Sequence, residues 1–115
     1  MLMSKVLNDC KVRLSTCDFD QMFSKIEEGV YVPERMIDLS LSVLFIITEG
    51  DKESLHKYVE VLGKIVAIIR QSMSDDPDCK LPITTLNLCH MLATIQKVWL
   101  IVEDCPNDNH NNMFM

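Results

Sequence analysis

The chain has 115 residues, is 48% apolar and carries a formal net charge of −6. This length suits one domain that withdraws roughly 65% of its unfolded surface from water, and the apolar fraction excludes wholesale disorder. Three glycines and 4 prolines are too few for the tight turns of a sandwich or barrel, and 11 scattered basic residues give no clustered face for nucleic acid.

Periodicity and punctuation predict five helices. The first runs from Met3 to Leu14, with Met3, Val6, Leu7, Cys10 and Leu14 on one face, until Ser15-Thr16-Cys17 breaks the pattern. Asp18 has the character of an N-cap, and Gln21 completes a capping-box-like pair. The short second helix carries Phe19, Met22, Phe23 and Ile26 on one stripe and ends at Gly29, a C′ residue. Pro33 opens the third helix, where a missing N–H costs nothing, and Glu34 suits its positive end. This helix runs to Glu49 and stops at Gly50. Met36, Ile37, Leu39, Leu41, Val43, Leu44, Phe45, Ile46 and Ile47 cover nearly every direction around it. A helix apolar all round has to be enclosed by others, so it is expected at the centre.

Asp51 is the expected cap of a fourth helix, Lys52 to Met73. Leu55, Val59, Leu62, Val66, Ile69 and Met73 give it a heptad seam, and Tyr58, Val61, Ile65 and Ile68 form a second stripe beside it. Ser74 to Leu81 reads as a polar, proline-bearing loop. Pro82 opens a fifth helix reaching Asp104, with Leu88, Met91, Leu92, Ile95, Trp99 and Val102 as its main stripe, widened by Val98 and Ile101. Pro106 closes it. Residues 1–106 thus read as one α-helical domain and 107–115 as a C-terminal tail ending in the apolar Met113-Phe114-Met115.

The five cysteines, Cys10, Cys17, Cys79, Cys89 and Cys105, are an odd number in a chain with no signal-peptide pattern. Reduced thiols and an intracellular setting, cytoplasm or nucleus, are the expectation. The apolar stretch Leu39 to Ile47 is interrupted by Ser40 and Ser42 and falls short of the roughly 20 residues a spanning helix needs. No membrane span is expected.

Catalytic and metal chemistry find little support. Cys89-His90 diverge by about 100° on a helix, and Cys105 with His110 lacks the paired spacing of a zinc site. A cysteine nucleophile such as Cys17 would need a distant base such as His56, and no Gly-rich turn offers oxyanion donors. Glu27-Glu28 and Asp75-Asp76 with Asp78 read as solvated charge, without the Gly and distal Glu of a calcium loop. The expectation is a non-catalytic chain with no metal and no cofactor.

Leu39 to Ile47, the turn Thr48-Glu49-Gly50-Asp51 and Leu55 to Ile69 resemble the second and third helices of an armadillo- or HEAT-type repeat, with Thr85-Leu86-Asn87-Leu88 opening the next. That resemblance covers about half the chain and implies a short helical repeat binding an extended peptide along a concave face. In size and helix pattern the chain also resembles the Bcl-2-like folds that some large DNA viruses direct at host signalling, although no Asn-Trp-Gly-Arg element is present.

More apolar stripes are present than a five-helix domain readily encloses. Met22, Met36, Met73 and Met91 fit core stripes; Tyr31 and Trp99 are of the type that anchors interfaces, although Trp99, on the long stripe of the fifth helix, reads as core first. The expected architecture is therefore a compact all-α bundle of about five helices around a central apolar one. The expected function is protein–protein interaction, by homodimerisation or by receiving a partner's amphipathic helix, with Tyr58, Val61, Ile65, Ile68 and Trp99 as candidate contact residues.

Overall fold

A computed structural model describes residues 2–30, 32–50 and 52–104. The expectations placed on Tyr31, Asp51, Cys105, Pro106, His110 and the tail 107–115 lie outside these residues, as does that for the side chain of Met3. The chain folds as α1 (Leu2–Ser15), α2 (Phe19–Glu27), α3 (Pro33–Glu49), a 3-10 helix (Glu53–Tyr58), α4 (Val59–Ser72) and α5 (Thr85–Asp104), with no strand among the described residues.

Helix α3 is the centre. It packs against α1, the 3-10 helix, α4 and α5, while α2 docks on α5. A helix met on several sides by others is the layout of a bundle, not of stacked repeat pairs, and the armadillo-like order is not formed. Met36, Leu39, Val43, Ile46 and Ile47 of α3 are fully buried, and burying an aliphatic side chain of this size contributes about 1.5–3 kcal/mol. Ser40 and Ser42, which break the apolar run in the sequence, are buried with it. Each returns its hydroxyl hydrogen to a carbonyl one turn back, Ser40 to Met36 at 2.9 Å and Ser42 to Asp38 at 2.8 Å, so neither leaves an unmet polar group. Ser42 also accepts from Arg13 Nη1 at 2.7 Å, which ties α1 to α3. Enclosure is incomplete on one side, where Leu41 remains exposed.

The helix ends follow local chemistry. The Asp18 carboxylate accepts from the Gln21 N–H at 3.0 Å. At the other end of α2, Gly29 takes φ +91°. Its N–H donates to Ile26 O at 3.0 Å, and that of Val30 donates to Lys25 O at 2.8 Å, closing a Schellman motif.

Two starts differ from the sequence expectation. Residues Glu53–Tyr58 wind as a 3-10 helix instead of the first turns of α4. That tighter winding puts residues three apart over one another, so buried Leu55 and half-buried Tyr58 share a side. Helix α5 begins at Thr85 and not at Pro82, because Thr84 Oγ1 accepts from the Asn87 N–H at 3.1 Å and serves as the cap. Leu81 N–H donates to Gln71 O at 3.3 Å, holding the Pro82 segment against the end of α4.

By length and composition α5 also meets what a bilayer-crossing helix needs. In this fold Leu88, Met91, Leu92, Ile95, Val98, Trp99 and Val102 of that helix are buried in the domain core.

Two opposed glycine substitutions check the backbone account. Gly29→Ala should destabilise the domain by about 1–2 kcal/mol, because a Cβ is penalised in the left-handed region. Gly63→Ala, within α4 and with nothing near the added Cβ, should stabilise it by about 0.5–1 kcal/mol. Urea denaturation reads both; equal signs would refute the assignment of the α2 terminus. Leu92, fully buried, should cost about 2–5 kcal/mol when cut to Ala in the same measurement.

Candidate interaction groove

The residues considered for chemistry do not converge. Among the described residues, no three His, Cys, Asp or Glu side chains group as a metal site. Half-buried Cys89 packs at the edge of the core while His90 is exposed. The Cys17 thiol lies 3.5 Å from Met22 Sδ. Asp76 organises its own loop, its carboxylate accepting from the Asp78 N–H at 3.0 Å and from the Cys79 thiol at 3.5 Å.

A different arrangement forms between α4 and α5. Both helices pack on α3 and approach each other less closely than either approaches it. Two clefts open along this seam. One, of about 250 Å³, is lined by Tyr58, Val61, Thr94, Lys97, Val98 and Ile101. The other, of about 330 Å³, is lined by Ile68, Leu81, Pro82, Ile83, Asn87, His90 and Met91. The early part of α4 faces the late part of α5, and the late part of α4 faces the early part of α5. The helices therefore run antiparallel and the clefts lie in line.

The five candidate residues separate by depth. Val61 and Ile68 are 41% and 37% exposed, and Tyr58 is half-buried at the groove end. Ile65 and Trp99 are only 5% and 7% exposed and belong to the core. Ile65 comes between Val61 and Ile68 on the same stripe, yet it is buried and lines neither cleft. Trp99 lines a separate cleft with Lys11, Ser15, Ile46, Lys52, Val102 and Glu103. It therefore does not share a surface with Tyr58 and Val61.

The sequence reading missed the α5 wall. Asn87, His90, Thr94, Lys97 and Ile101 are spaced 3-4-3-4 and fall on one line of the helix. That spacing was available, but four of the five residues are polar, so the line resembles an ordinary solvated face.

Charge substitution should distinguish wall from core. Val61→Asp should cost about 1 kcal/mol or less, as at other surface positions, whereas Ile65→Asp should cost more than about 4 kcal/mol by burying an unpaired charge. Thermal unfolding followed by circular dichroism reads both, and similar losses would place Val61 in the core as well. No protein-family model, curated protein or solved structure matches this chain.

Proposed function

We propose that this chain is a non-catalytic interaction domain that receives an amphipathic helix of a partner protein in the α4–α5 groove. The observation that carries this reading is the pair of aligned clefts between two helices that both pack on α3. Their walls combine aliphatic side chains, a tyrosine, a threonine and a few polar groups, the mixture that suits recognition of one apolar stripe with polar flanks. From Tyr58 to Ile68 the groove extends for about 15 Å at 1.5 Å per residue, or about three turns of a bound helix.

The groove sits on rigid elements. Its deepest lining residues, Met91 and Val98, are core, so the surface exists before a partner arrives and little ordering opposes binding. Self-association through the same surface is the rival occupant. A two-fold pair would place each groove against its own copy.

A panel of helical peptides sharing one apolar stripe but differing in flanking charge tests the proposal. At least one member should bind with a micromolar dissociation constant by fluorescence anisotropy, and Val61→Asp should weaken it about tenfold or more. If no member binds and light scattering shows a monomer, the groove is not a helix receptor. A stable dimer dissociated by Val61→Asp would make a second copy the occupant instead.

A further inference from the structure

The groove's charge points to the kind of helix it takes. The chain has 17 acidic against 11 basic residues, yet no carboxylate lines either cleft, and Lys97 and His90 do. On the α4 side the Lys57 ammonium stands 5.5 Å from the centre of the Tyr58 ring, and Tyr58 is itself a wall residue. Lys64, one turn beyond Val61, pairs with Glu60 at 3.2 Å. Lys57 and Lys97 form no ion pair among the described residues. An acidic domain thus presents a partly apolar groove with, near the Tyr58 end, one lysine on each side that makes no direct ion pair among the described residues.

We infer that the partner segment is an acidic amphipathic helix, with an apolar stripe seated between α4 and α5 and carboxylates flanking it on both sides to meet Lys57 and Lys97. This inference rests on the groove being a helix receptor. A basic helix would meet the two ammonium groups with like charge, which disfavours it at the same positions. The acidic surface elsewhere on the domain repels an acidic partner from other sites, so charge selects where the helix lands as well as which helix is taken.

Two synthetic peptides with an identical Leu stripe, one flanked by Glu and one by Lys, separate the possibilities by anisotropy at low salt. The Glu peptide should bind about tenfold tighter, as two or three exposed pairs would give. The Lys57→Glu/Lys97→Glu variant, altered only at exposed positions, should reverse that preference while its thermal unfolding stays unchanged. Raising salt from about 50 to about 500 mM should narrow the difference, because exposed charges are screened. Equal binding of both peptides would overturn the charge inference while leaving the groove a helix receptor. Tighter binding of the Lys peptide would do the same. Binding of neither would overturn both readings.

Discussion

The rest of the fold depends on the need to cover α3. Its apolar residues point in nearly every direction, so a single neighbour leaves several of them in water. At about 25 cal/mol per Å² of apolar surface, each uncovered side is a strong drive to recruit another helix. The structure answers with α1, the 3-10 helix, α4 and α5, all placed against α3. Ser40 and Ser42 belong in this enclosed helix because both hydroxyls are met by carbonyls within it. Ser42 does more, since it also receives Arg13 and so joins α1 to the centre with a directional bond.

The groove follows from the same constraint. Helices α4 and α5 each bury their main stripe against the shared core, and α3 stands as the support common to both. Their second stripes are then left facing across a seam that α3 does not fill. Val61 and Ile68 stay accessible there while Ile65, between them in the sequence, is buried. A surface of this kind is supported by core residues and inherits their rigidity, which is the condition for a site that recognises shape. Its charge is set separately, by a few exposed side chains at the edges. Apolar depth and edge charge are therefore independent variables, one tied to stability and the other free to change without disturbing the fold.

Local chemistry made much of this legible. Asp18, Gly29 and Pro33 each act within one helical turn, through a carboxylate on an N–H, a left-handed residue or a fixed φ. Their roles in the structure are those read from the chain. The entries to α4 and α5 were less legible. Lys52 to Tyr58 has a helical pattern, but the pattern alone does not distinguish 3-10 from α winding. Pro82 is an acceptable first-turn residue, yet Thr84 supplies a hydroxyl to Asn87 and starts α5 later.

The sequence by itself determined that the chain is helical, that the third helix is central and that the fourth has two apolar stripes. These are statements about period and composition, properties each segment carries alone. Only the tertiary structure decided which apolar residues face water. Ile65 and Val61 share a stripe, and Trp99 is as large an aromatic anchor as the chain possesses. Yet Ile65 and Trp99 are buried and Val61 is not. The tertiary structure also brought Thr94, Lys97 and Ile101 of α5 opposite Tyr58 of the 3-10 helix and Val61 of α4. Exposure and juxtaposition depend on where neighbouring helices stop, and that position is set by packing across the whole domain, not by any one helix.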